Sequence, residues 1–296
     1  MKDFSFMTEL GSGKTANVTL GLSRDDQIGF VALKQVVSSK NMDIRFDLIQ
    51  HEVSILGSIS HDNIISLKGI SFACSTLILE YAPKNNLNER LKKGPVIPWH
   101  LRRVIAADIA NAMSYLHKQN PPIVHANLKS HDILLFTEDS NGLVQAKLSD
   151  FGSATRMYSP VYNYVRKSDA SYTPWLSPEV LSGEGFQVAS DIYPFGIILW
   201  ELVSNCSNPF EGFGSLSAIE GAIIEGKRPK IPDSCHTTWK LLIESCWHQT
   251  PSKRPPYTLI VQTLIQELAL TTNSSTKLQR WSTAISHSTS QKALPN

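Results

Sequence analysis

The sequence of 296 residues has little of what marks several protein classes. Its four cysteines lie far apart and no two form a C-x-x-C pair, so neither a disulfide framework nor a cysteine-based zinc site is expected. The most apolar stretch, residues 193–203, is interrupted by Glu201 and is shorter than the ~20 residues that cross a bilayer. The N-terminus carries charges at Lys2, Asp3 and Glu9 and lacks the apolar core of a secretory signal. These absences predict a cytoplasmic protein with no membrane span.

An excess of charge of one sign is also missing. Lysine and arginine together number 28 and aspartate and glutamate 26, which gives a formal net charge of +2. This balance argues against a nucleic-acid partner, because phosphate backbones select strongly basic surfaces. Apolar residues make up 42% of the sequence, which is enough for a sizeable core. At ~150 residues per domain, the length predicts two domains or one two-lobed unit.

Hydrophobic periodicity divides the chain into parts. Up to about residue 82, short apolar and β-branched runs predict strands at 17–22, 30–36 and 76–81. One helix is predicted among them at residues 43–57. Its apolar stripe comprises Phe46, Ile49, Val53 and Leu56. The helical period then dominates, and the predicted helices span residues 99–117, 189–203, 216–224, 237–246 and 257–269.

These hydrophobic patterns, together with composition, predict three segments. Residues 1–82 are expected to form a small sheet with a single helix, and residues 83–270 a mainly helical unit. The polar connection at 82–88 contains Pro83 and is the predicted hinge. Residues 271–296 are rich in serine and threonine, which predicts a disordered tail.

A glycine-rich stretch near the N-terminus fits two phosphate-binding motifs to different degrees. Residues 10–18 read LGSGKTANV. A Walker A loop would need glycine where Thr8 stands, and few residues precede that position to form the strand that feeds such a loop. A glycine-rich β-hairpin, G-x-G-x-x-G-x-V, is matched at Gly11 and Gly13, with Ala16 at the third glycine position. The hairpin is the favoured interpretation.

Further motifs follow the glycine-rich stretch in a fixed order. They are Val31-Ala32-Leu33-Lys34, Glu52 on the predicted helix, His125–Asp132 reading HANLKSHD, Asp150-Phe151-Gly152, Ser177-Pro178-Glu179, Asp191–Gly196 and Arg254-Pro255. In this order and spacing, residues 4–269 resemble a eukaryotic-type protein kinase domain. The segments LSDFGSATR and FGIILWEL are similar to the tyrosine-kinase-like group of Ser/Thr kinases. The resemblance implies an α+β bilobal fold that binds ATP and magnesium between an N-terminal antiparallel sheet with one helix and a mainly helical C-terminal lobe.

The resemblance also implies a role for each matched residue. Lys34 would bind the α- and β-phosphates, Glu52 would orient Lys34, and Asp150 would chelate magnesium. Lys129 would face the transferred phosphate, and Asp132 stands at the second metal position. The remaining residues implied to bind the nucleotide are Leu10, Gly11, Gly13, Val18, Ala32, Glu80, Ala82 and Leu134. Glu179 with Arg254, and Asp191 alone, would hold the larger lobe and the catalytic loop in place.

The catalytic loop departs from the family pattern H-R-D-x-K-x-x-N. Ala126 stands at the arginine position, Asn127 at the aspartate and Asp132 at the asparagine. Asn127 can orient a hydroxyl but cannot accept its proton, and general-base assistance is typically worth ~10²–10⁴ in rate. Asp132 is a hard oxygen ligand suited to magnesium, and a metal-bound acid is a poor replacement base. Ala126 lacks the guanidinium that would clasp a phosphate on the activation segment, residues 150–179.

The sequence therefore leaves three functions open. The leading expectation is a pseudokinase or very weak kinase that binds Mg-ATP and acts on a protein partner as a scaffold or allosteric element. The alternative is an active Ser/Thr kinase that transfers the γ-phosphate of ATP to hydroxyls of a protein substrate with an atypical catalytic loop. The third is a binding module without nucleotide, which the retained Lys34, Glu52 and Asp150 disfavour. Hydroxyl residues of the activation segment are expected on the surface, among them Tyr172 and Thr173.

Overall fold

The computed structural model describes most of the chain in two lobes. The described residues are 3–13, 15–25, 27–37, 41–138, 144–157 and 170–269. The predicted tail at 271–296 lies outside them, as do the activation-segment residues 158–169. Within the described ranges, no helix combines the length and the apolar character needed to span a membrane.

An antiparallel five-stranded sheet with the order β1-β2-β3-β5-β4 forms the smaller lobe. Its strands are β1 (Phe4–Ser12), β2 (Ala16–Ser23), β3 (Phe30–Val36), β4 (Leu67–Ser71) and β5 (Thr76–Glu80). Because side chains alternate along a strand, Val31 and Leu33 of β3 are buried on one face of the sheet. Ala32 and Lys34 are half-buried on the opposite face. The strand pattern therefore points Lys34 away from the buried cluster and toward the single helix of this lobe.

That helix, α1 (Met42–Leu56), has a defined start and end. The Asn41 side chain accepts a hydrogen bond of 2.8 Å from the amide of Asp43, which satisfies one of the free amides of the first turn. At the other end the amide of Gly57 donates to the carbonyl of Val53 at 2.8 Å. The observed bounds lie within one residue of the predicted ones.

The predicted apolar stripe of α1 is only partly buried. Ile49 and Leu56 are buried and Val53 is half-buried, but Phe46 is 45% exposed. Phe46 lies on the exposed first half of the helix, where its ring packs on Phe72 with ring centroids 5.2 Å apart. Spacing alone identified the stripe, and the position of the helix relative to the sheet determines which of its members reach the core.

The larger lobe is built mainly from helices. They are α2 (Leu87–Lys93), α3 (Trp99–His117), α4 (Pro178–Leu181), α5 (Ile192–Ser204), α6 (Leu216–Ile224), α7 (Thr237–Cys246) and α8 (Tyr257–Ala269). Helix α5 is buried from Ile192 to Val203, α3 packs on α8, and α5 packs on α7. The predicted bounds of α3, α6, α7 and α8 are confirmed. Helix α5 begins later than predicted because residues 188–191 form a 3₁₀ turn.

Several short elements of this lobe were not predicted. Two small antiparallel pairs occur, β6 (Ile123–Val124) with β9 (Thr155–Arg156) and β7 (Ile133–Glu138) with β8 (Val144–Leu148). Helix α2 begins inside the predicted connection at 82–88, because the Asn86 side chain accepts from the Glu89 amide at 2.9 Å and starts the helix at Leu87. Strands and helices this short offer too few residues to establish a period. The predicted α+β class, with one helix beside the sheet and a mainly helical second lobe, is confirmed.

Candidate active site

A lysine between two carboxylates joins the lobes. The ammonium nitrogen of Lys34 lies 2.8 and 2.9 Å from the two carboxylate oxygens of Glu52 and 2.7 Å from Oδ1 of Asp150. Burial alone would lower the pKa of Lys34, but the charges of Asp150 and Glu52 outweigh it and raise that pKa. Burial likewise opposes ionisation of Asp150, and Lys34 nevertheless holds the pKa of this carboxyl well below its usual range. Lys34 and Asp150 are therefore both charged in the folded protein at neutral pH.

The side chain of Asp191 holds the loop that follows β6 through hydrogen bonds to its backbone. One carboxylate oxygen accepts a hydrogen bond from the backbone amide of His125 at 2.8 Å, and the other accepts one from the backbone amide of Ala126 at 2.9 Å. Ala126 has φ 61°, a left-handed conformation that an alanine rarely adopts without support. The ring of His117 also lies 3.0 Å from Asp191. Asp191 thus fixes the turn that directs Asn127 toward the cleft.

Asn127 contacts Asp150 directly. Its Nδ2 donates to Oδ2 of Asp150 at 2.9 Å. A carboxylate can only accept a hydrogen bond, so the amide nitrogen of Asn127 and not its carbonyl oxygen faces Asp150. Both oxygens of Asp150 are therefore engaged, one by Lys34 and one by Asn127.

Lys129 lies among acidic and aromatic groups. It is 2% exposed, and its Nζ is 2.5 Å from Oδ2 of Asp132 and 4.0 Å from Oδ2 of Asp150. The same nitrogen lies 4.1 Å from the ring centroid of Tyr172. Burial and, with it, the negative charge of Asp150 raise the pKa of Asp132 to about 7, against the opposing pull of Lys129.

The two carboxylates fit a magnesium ion. Asp132 and Asp150 both approach the Lys129 ammonium, at 2.5 and 4.0 Å, so two carboxylates lie near one another at this place. Magnesium is usually held by one or two carboxylates together with phosphate oxygens and water, not by a cage made of protein alone. Within the part of the chain that the structure describes, no group of three or more His, Cys, Asp or Glu side chains could hold a metal. The donor set suits a metal that arrives with a nucleotide.

The residues implied to contact the nucleotide are distributed over the sheet and the strand β7. Val18 of β2 pairs in register with Lys34 and also with Gly11 of β1. A Cβ on Gly11 would meet no atom within 4 Å, so the backbone of β1 is open at this point. Leu10 is exposed, Ala32, Ala82 and Leu134 are half-buried, and Gly13 donates its amide to the carbonyl of Ala16 at 3.0 Å. Glu80 ends β5, where its side chain accepts from Lys147 at 2.6 Å.

These placements separate two groups of expected site residues. Contacts connect Lys34, Glu52, Asn127, Lys129, Asp132 and Asp150 into one network. Strand register relates Val18, Ala32 and Lys34, and Ala32 stands opposite Leu79 on β5. Among the described residues, the Glu80 side chain contacts Ser66 and Lys147 and not the charged network, so the expected role of Glu80 and Ala82 rests on their backbone at and after the end of β5.

The Walker A motif is absent as a structure. Strand β1 runs from Phe4 through Thr8 and Gly11 to Ser12, so Thr8 and Gly11 lie in a strand and not in a phosphate-binding loop. Strand β2 then follows Gly13 as an antiparallel strand, whereas a Walker A loop leads into a helix. Lys14, the lysine of that motif, lies outside the described residues.

A buried carboxyl next to the catalytic loop was missed. Glu201 of α5 is fully buried and accepts from the Ser130 hydroxyl at 2.8 Å and from the Trp175 indole at 3.2 Å. Burial raises its pKa to about 8, although these hydrogen bonds favour the charged form. The available signal in the sequence was a single glutamate inside the apolar run 193–203.

The activation segment also differs from its predicted exposure. Tyr172 is half-buried over Lys129 and Thr173 is 4% exposed, so neither is an ordinary surface hydroxyl. The other hydroxyl residues before position 169, Tyr158, Ser159, Tyr162, Tyr164 and Ser168, lie outside the described residues. Beyond the segment, Arg254 donates to both carboxylate oxygens of Glu179, at 2.7 and 2.8 Å, in a pair that is almost fully buried.

Comparison with known proteins identifies the family to which this chain belongs. Residues 4–264 match the family described as protein tyrosine and serine/threonine kinase. The chain is 39% identical over 227 residues to cyclic GMP-binding protein C of Dictyostelium discoideum, covering 75% of this chain and 8% of that protein. It is 36% identical over 263 residues to the probable serine/threonine-protein kinase roco8 of the same organism, covering 86% of this chain and 14% of that protein. It is 33% identical over 260 residues to a mitogen-activated protein kinase kinase kinase of Drosophila melanogaster, covering 86% of this chain and 22% of that protein.

The matched region corresponds to one domain of much longer proteins, since the chain spans between 8% and 22% of the lengths of these three relatives. By name, one of the three is a probable serine/threonine-protein kinase and another is a mitogen-activated protein kinase kinase kinase. The match covers both lobes and the whole charged network, from Lys34 to Asp150. The chain therefore belongs to the protein tyrosine and serine/threonine kinase family, with relatives among serine/threonine kinases of the tyrosine-kinase-like type.

Proposed function

We propose that this chain binds Mg-ATP between its lobes, residues 1–82 and 83–270, and is a pseudokinase or a very weak kinase. In this role it acts on a protein partner through its conformation, as a scaffold or an allosteric element. The observation that carries the proposal is the side chain of Asn127, which stands at the general-base position and turns its amide nitrogen toward Asp150.

Nucleotide binding is supported by the paired charges of the cleft. Lys34 is held by both oxygens of Glu52, which is the pairing that orients the phosphate-binding lysine in this family. Asp132 and Asp150 offer two carboxylates close to one another. Magnesium, when bound there with ATP, neutralises phosphate charge. These features favour nucleotide binding over a module that has lost it.

Impaired phosphotransfer is supported by the chemistry of residue 127. An amide cannot take up the proton of a substrate hydroxyl at neutral pH. Asp132 does not supply a substitute, because its carboxylate is 2.5 Å from the ammonium of Lys129 and would also be a metal ligand. The loss of base assistance corresponds to a rate lower by ~10²–10⁴.

An active Ser/Thr kinase with an atypical catalytic loop is the second candidate. It is favoured by Lys129, which is buried beside Asp132 and Asp150 at the position that faces the transferred phosphate in Ser/Thr kinases. Phosphoryl transfer has a loose transition state, so positioning and electrostatics contribute much of the rate even when the base is missing.

A thermal-unfolding experiment followed by a transfer assay tests the proposal. ADP or ATP at a hundredfold excess over its dissociation constant should stabilise the protein by about 2.7 kcal/mol. Lys34→Met should abolish this stabilisation relative to its own nucleotide-free baseline. Lys118→Met removes an exposed lysine at the end of α3 and should leave the stabilisation unchanged.

Transfer of radiolabelled phosphate from ATP to protein then separates the candidates. Stabilisation with no transfer, or with only slow transfer, above the background of the Lys34→Met variant supports a pseudokinase or very weak kinase. Rapid transfer supports the active Ser/Thr kinase. Absence of stabilisation at any nucleotide concentration, with or without magnesium, would contradict nucleotide binding.

A further inference from the structure

Both carboxylate oxygens of Asp150 accept hydrogen bonds from protein donors. Lys34 reaches Oδ1 at 2.7 Å from β3, and Asn127 reaches Oδ2 at 2.9 Å from the catalytic loop. Lys129 is more distant from the same Oδ2, at 4.0 Å. The side chain of Asp150 is 37% exposed and its backbone has φ 61°, so neither burial nor a relaxed backbone alone fixes its position. The two donors determine where this carboxylate points.

The contact from residue 127 depends on the amide group. An aspartate at this position would place a second carboxylate against Oδ2 of Asp150, and two ionised carboxylates cannot approach within 2.9 Å without a proton or a cation between them. The amide of Asn127 instead donates to an ionised acceptor, a stronger kind of hydrogen bond than one between neutral groups. The change that removes a base from the loop therefore adds a donor for Asp150.

We infer that Asn127 is a positioning residue that holds Asp150 in its Lys34-paired orientation when no metal is bound. The same hydrogen bond occupies an oxygen that a metal ion would need, so the amide competes with magnesium for Oδ2 of Asp150. The competition part of this inference rests on the proposed function, because it requires nucleotide and magnesium to bind in the cleft. The positioning part concerns the nucleotide-free protein alone.

Hydrogen exchange of the nucleotide-free protein tests the positioning role. Asn127→Ala removes the donor without adding charge, and we expect exchange of the amides at residues 151–154 to accelerate about tenfold, since a hydrogen bond to a charged group is worth a factor of that order. Asn208→Ala removes an exposed asparagine of the larger lobe and should leave these amides unchanged. Equal exchange in the parent and in Asn127→Ala would overturn the positioning role.

Calorimetric titration with ADP tests the competition. The dissociation constant is measured in chelator and in saturating magnesium, and the ratio of the two gives the gain in affinity from the metal. We expect this gain to be about tenfold larger in Asn127→Ala than in the parent, because Oδ2 of Asp150 is then free for the metal. Asp132→Asn, which keeps the Asn127 contact, should not increase the gain.

The variants also separate this inference from its rivals. A larger gain in Asn127→Asp but not in Asn127→Ala would mean that the new carboxylate binds the metal itself, and it would overturn the competition. No ADP binding by the parent or any variant, in either buffer, would overturn the proposed function and the competition together. The exchange measurement would still decide the positioning role in that case, because it uses no nucleotide.

Discussion

Because of Glu201, the free energy of unfolding of the protein should fall as pH rises. Its carboxyl is buried between the Ser130 hydroxyl and the Trp175 indole, and burial raises its pKa from the ordinary 4.5 to about 8. Between pH 4.5 and 8 the folded protein therefore retains a proton that the unfolded chain has released. Proton binding by the folded state alone makes the free energy of unfolding decrease as pH rises through this window. Glu201→Gln should remove this dependence.

The expected size of this change in the free energy of unfolding follows from the pH interval over which only the folded protein keeps the proton. Over the ~2.5 pH units from 4.5 to 7, at ~1.36 kcal/mol per unit, Glu201 lowers the free energy of unfolding by about 3 kcal/mol. Glutamine keeps the shape and the contacts, since its carbonyl can accept from Trp175 and its amide can donate to the Ser130 oxygen. The variant should therefore be more stable than the parent, with an advantage that grows by about 3 kcal/mol between pH 5 and pH 8.

Urea unfolding of parent and variant at pH 5 and pH 8 measures this difference. Taking the difference between the two proteins cancels the titration of all other groups. Glu184→Gln, at an exposed glutamate, is the matched control. Its free energy of unfolding should change between pH 5 and pH 8 by the same amount as that of the parent. A free energy of unfolding that changes with pH in Glu201→Gln as much as in the parent would contradict a raised pKa of Glu201, as would an advantage of the variant that is larger at pH 5 than at pH 8.

Three further predictions concern a buried ion pair and two helical glycines of the larger lobe. Arg254→Ala leaves the carboxylate of Glu179 buried without its partner and should cost about 3–5 kcal/mol in urea unfolding, whereas a double Glu179→Ala/Arg254→Ala variant should cost no more. Gly196→Ala places a Cβ 3.0 Å from the Trp247 amide nitrogen and should destabilise α5 by ~1–3 kcal/mol. Gly221→Ala in α6 meets no atom within 4 Å and should instead stabilise by up to ~1 kcal/mol in thermal unfolding. A destabilising Gly221→Ala, or a neutral Arg254→Ala, would contradict these assignments.

The elements that were predicted well have a capping residue or an apolar period within their own stretch of sequence. Helix α6 begins at Leu216 because the Ser215 side chain caps it, accepting from the Ala218 amide at 3.2 Å, and the apolar run then gives the period. Helix α2 was missed because its seven residues bury only Leu87, Asn88 and Leu91. A cap at Asn86 was its one local sign, and it looked like part of a polar loop.

The contacts within the site could be predicted only in part. The order of motifs assigned Lys34, Glu52 and Asp150 to one cleft through the family resemblance, although Lys34 and Asp150 are 116 residues apart. The hydrogen bond from Asn127 to Asp150 was not predicted, because the family pattern has an acid at position 127 and offers no such donor. The partners of Glu201 lie 71 and 26 residues away along the chain, so only the fold brings them together.

The central claim is that residue 127, and not a loss of nucleotide binding, limits phosphotransfer. The direct measurement is the rate of γ-phosphoryl transfer from radiolabelled ATP to a mixed Ser/Thr peptide substrate, with saturating magnesium, for the parent and for Asn127→Asp. Asn208→Asp adds the same charge at an exposed position and serves as the control. We predict that Asn127→Asp transfers phosphate ~10²-fold faster than the parent or more, and that the control does not. A parent protein that transfers phosphate as fast as Asn127→Asp would contradict the account.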